Sequence, residues 1–309
     1  MEFITPEVIQ NLMSFELNSY SRKMISEINL SYEYLSDDEK NLAYVKCLDT
    51  IFSDIQSVGA HRHDVWQQGW KENLQLFLND NSYKSLIPKY FDKQSDVNAI
   101  VRWNGEFVSA QSPYFVYNIF CILVDTILQK FVDHNYDNLY EFGCGTGYNL
   151  VRFAKYNQNI NLIGTDWVKS SQDLLTEIQK SGLSNNISGY NFNYFEIDDS
   201  ISIKENSAIL TCCSLEQIGE SYKDIVDYWV SQKPKICINF ENDNSILDEN
   251  RLVDKLSILY AKKRKYLDGF VDYLKHLQSQ NIIKIIYHKR FFTGNMYHES
   301  FPVIIWEVI

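Results

Sequence analysis

The amino-acid sequence predicts an α/β fold: a doubly wound, mostly parallel seven-stranded sheet with an antiparallel C-terminal hairpin, preceded by an N-terminal helical domain. Three features of the 309-residue chain indicate this fold. Residues 5–135 carry helical periodicity, short apolar runs then alternate with amphipathic stretches, and two β-rich runs joined by a short turn end the chain. Such alternation is typical of a parallel sheet with helices on both faces. We therefore predict a helical cap over residues 1–135 and a doubly wound domain over residues 136–309.

Helix start signals mark the N-terminal region. Thr5, Pro6 and Glu7 combine a capping hydroxyl, a proline at the first helical position and an acid near the positive helix end. Ser36 and Glu39 have the spacing of a capping box, which predicts a second helix. The apolar side chains of that helix recur at helical spacing: Leu42, Val45, Leu48 and Phe52. These patterns predict a succession of helices in the first domain.

The remaining chain carries seven strand patterns. The first five lie at 138–143, 159–166, 189–195, 207–213 and 235–240. A long helical pattern follows from residue 248 to residue 278. The last two strand patterns, 282–292 and 300–309, are joined by a turn around Gly294. Because so short a connection allows only an antiparallel pair, the final strand must run against the rest of the sheet.

The charge of the chain argues against nucleic acid as a partner. The sequence has 29 Lys and Arg against 40 Asp and Glu, a net charge of −11, whereas binding to a phosphate backbone needs clustered basic residues. The one concentrated basic run, residues 262–265, lies in a helical pattern and is interpreted as a solvated helix face. We expect a small-molecule partner and no nucleic acid.

Three further features predict a cytoplasmic protein without a membrane partner. The N-terminus lacks a basic region followed by an apolar stretch, so no secretory signal is expected. The six cysteines show no Cys-x-x-Cys spacing and are interpreted as reduced thiols. The longest apolar segment, 114–128, is interrupted by Asn118 and Asp125 and is too short for a membrane span, so a buried helix is expected.

A glycine-rich turn directly follows the first predicted strand. Gly143, Gly145 and Gly147 let a ligand approach the backbone where the next helix begins with free N–H groups. A dinucleotide site would need its third glycine where Tyr148 stands. Glu141, inside the strand, would repel a pyrophosphate and attract a cationic amino-acid group. The turn therefore predicts a ligand with a cationic amino-acid part.

The second predicted strand ends in Asp166, and Trp167 follows it. A carboxylate at the tip of this strand can accept hydrogen bonds from both hydroxyls of a ribose. The indole ring offers a flat face for stacking. Together with the glycine turn, the two residues predict a ligand that contains a ribose.

On these motifs, residues 138–309 resemble the class I, Rossmann-like, S-adenosylmethionine-dependent methyltransferases. The resemblance implies that Glu141 and the three glycines surround the methionine part of S-adenosylmethionine and that Asp166 holds its ribose. An acid ending the third strand would meet the adenine; Asn193 aligns there, with Glu196 or Asp198 as alternatives. Residues 214–218 resemble a Leu-Glu-His-Ile segment beside adenine and substrate, with Gln217 replacing the histidine. The predicted cofactor-binding residues are Glu141, Gly143, Cys144, Gly145, Gly147, Tyr148, Asn149, Asp166, Trp167, Asn193, Ser214, Leu215 and Glu216.

The candidates for catalysis and for contact with the methyl acceptor are chosen by their position in the sequence alone. The predicted catalytic residues are His61 and His63, beside two tryptophans, and Glu241, at the end of the fifth strand. The predicted substrate contacts are Trp66, Trp70, Arg102 and Gln217, with an exposed loop as the alternative for Arg102. The His-x-His pair lacks accompanying carboxylates, so no metal is expected. His298 and Glu299 lie on the hairpin turn, which is expected to face solvent.

Together these patterns predict an S-adenosylmethionine-dependent methyltransferase that acts on an oxygen or nitrogen atom of a small polar metabolite, such as a sugar or a biosynthetic intermediate. Two alternatives stay open. One is methylation of a protein side chain, and the other is a non-catalytic, S-adenosylmethionine-binding regulatory protein. Pairing of apolar N-terminal helices would give a homodimer, which the sequence neither requires nor excludes.

Overall fold

The computed structural model describes residues 1–94, 97–197 and 201–309, and for residues 92–94 the backbone alone. The helices are α1 (Pro6–Met13), α2 (Ser19–Glu27), α3 (Asp37–Phe52), α4 (His63–Asp80), α5 (Phe115–Phe131), α6 (Tyr148–Ala154), α7 (Lys169–Ser181), α8 (Tyr222–Gln232), α9 (Leu252–Arg264) and α10 (Phe270–Ser279). The strands are β1 (Glu2–Phe3), β2 (Ser31–Tyr34), β3 (Ile100–Trp103), β4 (Glu106–Ala110), β5 (Asn138–Phe142), β6 (Asn161–Asp166), β7 (Ile187–Asn191), β8 (Ser207–Cys212), β9 (Ile236–Phe240), β10 (Ile283–Lys289), β11 (Thr293–Asn295), β12 (Glu299–Ser300) and β13 (Val303–Val308).

The larger sheet has seven strands in the order β10, β13, β9, β8, β5, β6, β7. The strands from β5 to β9 pair in parallel, whereas β13 runs antiparallel to both of its neighbours, β9 and β10. The predicted mostly parallel sheet is confirmed, and its last strand runs in the expected direction. The third strand begins and ends earlier than the predicted segment 189–195, so Asn193 lies beyond the end of β7.

Both faces of this sheet are covered by helices. Alternate residues of a strand point to opposite faces, so Leu139 and Leu210 pack on one side with α5, α6 and α7. Tyr140 and Ile209 pack on the other side with α8 and α10. Helix α5, although N-terminal to the predicted boundary at residue 135, is buried in the core of the sheet. None of the described helices combines the length and the apolar content that crossing a bilayer requires.

A second sheet, which the sequence patterns did not predict, lies in the N-terminal region. Its six strands follow the order β1, β2, β4, β3, β11, β12. The segment between β10 and β13, predicted as a plain turn, supplies β11 and β12, and Gly294 of β11 pairs with Arg102 of β3. The first 135 residues are therefore not purely helical. The hairpin segment physically joins the two sheets.

Helix α3 begins as predicted but buries a different face. The Ser36 amide donates to the Glu39 carboxylate at 2.8 Å, which completes the capping box. The predicted apolar face is exposed: Leu42, Val45, Leu48 and Phe52. The buried face consists of Ala43, Cys47 and Ile51, which pack against α9 and β4.

The long helical pattern of residues 248–278 is divided into α9 and α10. Lys265 and Gly269 both have positive φ angles, which end the first helix and begin the second. Positive φ is unfavourable inside a helix, since L residues pay a steric cost there. The break places Arg264 and Tyr266 at the edge of a cavity rather than on a continuous solvated helix. For Arg264, the prediction of a solvated basic run is therefore wrong.

Candidate functional site

One cavity of about 380 Å³ opens at the carboxyl ends of β5, β6 and β8 and extends beneath α4. Open parallel sheets bind ligands at this edge, and the volume is that of a small-molecule site. The predicted residues that line it are Trp66, Trp70, Glu141, Gly143, Cys144, Gly145, Tyr148, Asn149, Asp166, Trp167, Asn193, Ser214, Glu216 and Gln217. The predicted residues outside its lining are His61, His63, Arg102, Gly147, Leu215 and Glu241.

The glycine turn between β5 and α6 brings bare backbone to the cavity wall. Gly143 has a φ of 69° and Gly145 a φ of 54°, a region that side chains disfavour. A Cβ on Gly143 would lie 2.4 Å from the Cβ of Ser214, and one on Gly145 would lie 2.8 Å from the Trp70 ring. Both positions therefore require glycine for conformation and for space.

The Glu141 carboxyl group is buried against the cavity with half of its hydrogen-bonding capacity unused. Its Oε1 accepts a hydrogen bond from Asn149 Nδ2 at 2.7 Å. Its Oε2 has no hydrogen-bond partner. Burial raises the pKa of Glu141 to about 8. A cationic group in the cavity would restore the ionised form and satisfy the free oxygen.

Asp166 ends β6 beside the glycine turn. Its Oδ2 accepts the Gly145 amide at 3.0 Å and its Oδ1 accepts the Val168 amide at 3.2 Å. Burial nevertheless raises the pKa of Asp166 to about 6. The two amide bonds fix the carboxylate at the tip of the strand, where its remaining lone pairs can accept hydroxyl donors. The adjacent Trp167 ring also lines the cavity and packs against Phe195.

Glu216 and Glu241 form a pair of acids after β8 and β9. Glu241 accepts the amides of Ser214 and Glu216 at 3.1 and 3.2 Å, and thereby holds the loop that follows β8. Burial raises the pKa of Glu241 to about 7. Burial and the Glu241 charge raise the pKa of Glu216 to about 8. Glu216, whose Oε2 has no hydrogen-bond partner, reaches the cavity, whereas Glu241 supports it from behind.

No protein-family model matches the chain, and a search of curated proteins finds no match. Among solved structures, the [4+2]-cyclase SpnF is similar at 13% identity, with 82% of this chain and 97% of that chain covered and a TM-score of 0.52. The dimethyltransferase RosA from Streptomyces davawensis shares 10% identity over 89% of this chain and 71% of its own, at a TM-score of 0.47. The magnesium protoporphyrin IX methyltransferase ChlM from Synechocystis PCC 6803, with bound SAM, shares 10% identity over 63% of this chain and 83% of its own, at a TM-score of 0.45.

The parallel sheet closed by an antiparallel terminal strand is the arrangement that the resemblance implied, and its likeness to SpnF extends over most of both chains. The chain has the class I methyltransferase fold. At 13% identity the likeness shows the fold alone.

On the class I methyltransferase sheet, helix α4 covers the glycine turn. Trp66 and Trp70 stack with ring centroids 5.3 Å apart, and both line the cavity. His61 and His63, predicted as catalytic, are exposed at the start of this helix. The His63 ring packs edge to face against Trp167, with ring centroids 5.2 Å apart. The tryptophans, rather than the histidines, therefore form the wall.

Arg102 was expected in a loop, with an acceptor or with solvent, and it is fully buried instead. Its guanidinium donates to the carbonyl oxygens of Val253, Met296 and Tyr297 at 2.7 to 3.3 Å. It also lies over the Phe107 ring at 5.1 Å. Arg102 therefore contacts neither the cavity nor solvent. It holds the segment between β11 and β12 in place.

That anchored segment carries His298, which was expected on a solvent-facing turn. His298 is buried, lines the cavity and stacks on Tyr260 at 5.5 Å. Asn295 Oδ1 accepts two backbone amides, so its Nδ2 must donate to His298 Nε2 at 3.0 Å. Burial lowers the pKa of His298 to about 4. The ring is therefore neutral at pH 7.

Other cavity residues were missed because they come from segments far apart in the sequence. They are Arg62, Tyr90, Phe195, Tyr260, Arg264 and Tyr266, among others. The basic run around Arg264 was the one available signal, and it was interpreted as a surface feature. Within the described part of the chain, no three His, Cys, Asp or Glu side chains are grouped closely enough to hold a metal ion.

Proposed function

We propose that this protein is an S-adenosylmethionine-dependent methyltransferase that acts on an oxygen or nitrogen atom of a small polar molecule. The observation that carries the proposal is the buried Glu141 carboxyl group, with one unpaired oxygen, beside the bare backbone of the glycine turn. A buried acid without a partner costs free energy unless a ligand compensates for it. The ammonium group of a bound amino-acid moiety provides that compensation.

The remaining cavity residues fit the other parts of S-adenosylmethionine. Asp166, fixed by two backbone amides at the end of β6, has lone pairs for ribose hydroxyls. Trp167 and Phe195 offer aromatic faces for a purine, and Asn193 lies beside them as a polar contact. When bound, the cofactor supplies an activated methyl group on sulfur. The protein supplies position and exclusion of water.

Glu216 is the proposed proton acceptor for the reacting group, a role for which Glu241 had been predicted. Glu216 reaches the cavity, and because its pKa is about 8, only its ionised fraction, which grows as the pH rises toward 8, can accept the proton. Glu241 becomes a positioning residue, because it binds the backbone of the loop that carries Glu216. Gln217 donates to Glu216 Oε1 at 3.0 Å and so fixes the direction of the carboxyl group.

The size and the walls of the cavity support a small acceptor. Helix α4 covers one side, and the segment that carries His298 covers another. Protein methylation and non-catalytic binding stay as alternatives. The name of SpnF, a [4+2]-cyclase, shows that the fold does not by itself determine the reaction. The decisive observation must therefore be methyl transfer, with binding as a separate measurement.

A labelling experiment tests the proposal. The protein is incubated with methyl-labelled S-adenosylmethionine and a metabolite and protein extract of its source organism, and the label is separated by size. We expect the label in molecules below about 1 kDa, and its loss in Asp166→Ala. Asp173→Ala, which removes a half-exposed acid on α7, is the matched control and should keep activity. Label only in protein would favour protein methylation. Cofactor binding without any transfer would favour a non-catalytic binding protein.

The cytoplasmic location and the option of a homodimer remain predictions. Light scattering after size-exclusion chromatography distinguishes one 36.3 kDa chain from a pair.

A further inference from the structure

Two arginines from distant parts of the chain meet at the same cavity. Arg62 ends the short 3₁₀ turn before α4, and Arg264 is the last residue of α9. The two segments are tied together by a hydrogen bond from the Val58 amide to the Arg264 carbonyl at 2.9 Å. Both side chains line the cavity. Burial and the nearby charge of Arg264 lower the pKa of Arg62, which places the two guanidinium groups within electrostatic reach.

Neither arginine has an acidic partner within 4 Å among the described residues. The Nε atom of each is buried and has no hydrogen-bond partner. Their guanidinium groups instead lie over aromatic rings, Arg62 at 5.5 Å from Trp66 and Arg264 at 5.2 Å from Tyr266. Like charges held together without a counter-ion are unfavourable, so the site is incomplete without an anion.

Other arginines of the structure that are partly or fully buried are compensated. Arg152 pairs with Asp125, and Arg290 pairs with Asp254 and Glu299. Arg102 has no acid but donates to three backbone carbonyls. Arg62 and Arg264 therefore depart from a pattern that the rest of the protein follows.

The acid that shares this end of the cavity does not neutralise the pair. Glu216 feels the charge of Arg264, but burial and Glu241 keep its pKa near 8, so it is largely protonated at pH 7. His298 also faces Arg264 and is neutral at that pH. The phenols of Tyr260 and Tyr266 have raised pKa values and carry no charge there.

We infer that the methyl acceptor is an anion whose carboxylate or phosphate group binds jointly to Arg62 and Arg264. This inference rests on the proposed methyl transfer, since it names the class of acceptor. Planar guanidinium groups bind such oxyanions through paired N–H donors. The site lies at the end of the cavity that Glu216 and His298 share, whereas Asp166 and Glu141 interact with each other at the glycine turn. An acceptor bound there has its anionic group at the arginines and its reacting atom near Glu216.

Aromatic side chains border the arginine pair and define the shape of the acceptor. Trp66, Tyr260 and Tyr266 all line this part of the cavity. Tyr260 is already stacked on His298 and packs edge to face against Tyr266. A flat, ring-containing anion matches these walls better than a flexible one, because stacking adds to the charge contacts.

The test uses benzoate and phenyl phosphate as anionic probes and benzamide as a neutral probe of the same shape. Dissociation constants are measured by saturation-transfer NMR on the full chain. We compare the wild type with Arg62→Met and Arg264→Met. Lys71→Met and Lys263→Met are matched controls, because each removes an exposed positive charge, Lys71 on the helix that follows Arg62 and Lys263 at the position before Arg264. Binding of S-adenosylhomocysteine is measured by calorimetry on every variant.

We expect at least one anionic probe to bind the wild type more tightly than benzamide, and to lose affinity about tenfold or more in each arginine variant. The lysine controls should bind the probes as the wild type does. The anion that binds more tightly shows whether the site prefers a carboxylate or a phosphate group. Equal binding of all three probes, or equal loss in the lysine controls, would overturn the inference.

The cofactor titration separates this inference from the proposed function. Unchanged affinity for S-adenosylhomocysteine in the arginine variants is the expected result. A fall of tenfold or more would assign the arginines to the cofactor carboxylate and overturn the acceptor site. Absence of S-adenosylhomocysteine binding in the wild type would instead count against the proposed function, while the probe affinities would still report on the arginine pair.

Discussion

Acidic residues are concentrated around the cavity, and their burial sets the electrostatics of the site. Burial raises the pKa of Glu141 to about 8, of Asp166 to about 6 and of Glu216 to about 8. These groups lose solvation on folding and regain only part of it from protein donors. A cationic ligand at Glu141 and hydroxyl donors at Asp166 would stabilise the ionised forms. Burial of these acids therefore lowers the stability of the free protein and increases its affinity for such a ligand.

Glu141→Gln should stabilise the free protein increasingly as pH rises. In the unfolded chain the carboxyl group ionises near pH 4.5, whereas in the folded protein it keeps its proton to about pH 8. The wild type therefore loses stability between these values, by roughly 2–4 kcal/mol from this group. Glutamine does not ionise and can still accept the Asn149 hydrogen bond.

The measurement is the free energy of unfolding in denaturant at pH 5, 6.5 and 8. The gain of Glu141→Gln over the wild type should grow across this series, while Glu205→Gln, at an exposed position, should differ little from the wild type. A gain that is independent of pH would contradict the account of Glu141.

Gly143→Ala should reduce both stability and affinity for S-adenosylhomocysteine. Gly143 and Gly182 have similar φ angles, 69° and 77°, so alanine strains the backbone equally at both. Only at Gly143 would the new Cβ meet another atom closely, 2.4 Å from Ser214, since the nearest atom at Gly182 lies 3.9 Å away. Gly182→Ala should cost about 1 kcal/mol from the backbone alone.

Thermal unfolding and calorimetry on both variants check this prediction. Gly143→Ala should unfold at a lower temperature than Gly182→Ala and bind the ligand at least about tenfold more weakly than the wild type does. Equal behaviour of the two variants would mean that Ser214 moves aside and that the turn is not tightly packed.

Secondary-structure elements could be predicted where the pattern is local. The parallel strands and the terminal antiparallel pair each carry a run of apolar residues between breaks, so β5, β6, β8 and β9 were placed within one or two residues. The second sheet escaped prediction because its strands have only two to five residues. Its hairpin of β3 and β4 is local and turns at Asn104 and Gly105, but most of the other pairings involve distant segments. Strand β2 pairs with β4, and β11 pairs with β3 from the other end of the chain.

Helix α3 shows how periodicity can indicate a helix and still misassign its face. Ile51 is 7% exposed and Phe52, on the predicted apolar face, is 80% exposed. Which face is buried depends on α9, whose approach no local pattern encodes. The cavity residues Arg264 and His298 were misassigned for the same reason, since their neighbours come from other segments.

The two neighbouring positions of α3 provide a direct test of its orientation. Ile51→Ala should lower the free energy of unfolding by about 2–5 kcal/mol, because it leaves a cavity against α9. Phe52→Ala removes more atoms but should cost little, since those atoms are in solvent. Chemical denaturation of both variants measures the difference. A larger loss for Phe52→Ala would mean that α3 buries the opposite face.

At the scale of the whole molecule, the cavity is lined by several separate parts of the chain rather than by one layer. The large sheet supplies Glu141 and Asp166, α4 supplies the tryptophans, and the strands β11 and β12 border the segment with His298. Arg102 of β3 holds the hairpin segment against α9, because it donates to carbonyls of both. The glycine turn and Asp166 were predictable since each belongs to a strand end. The opposite wall was not, because it forms only when both sheets meet.

The central claim is that the edge of the sheet at Asp166 binds S-adenosylmethionine. Calorimetric titration of the full chain with S-adenosylhomocysteine tests it most directly, with Asp166→Ala and the control Asp173→Ala measured beside the wild type. We predict saturable binding at one site per chain, its loss or severe weakening in Asp166→Ala, and normal binding in Asp173→Ala. A folded wild type that does not bind the ligand, or an Asp166→Ala variant that binds it as tightly as the wild type, would contradict the account.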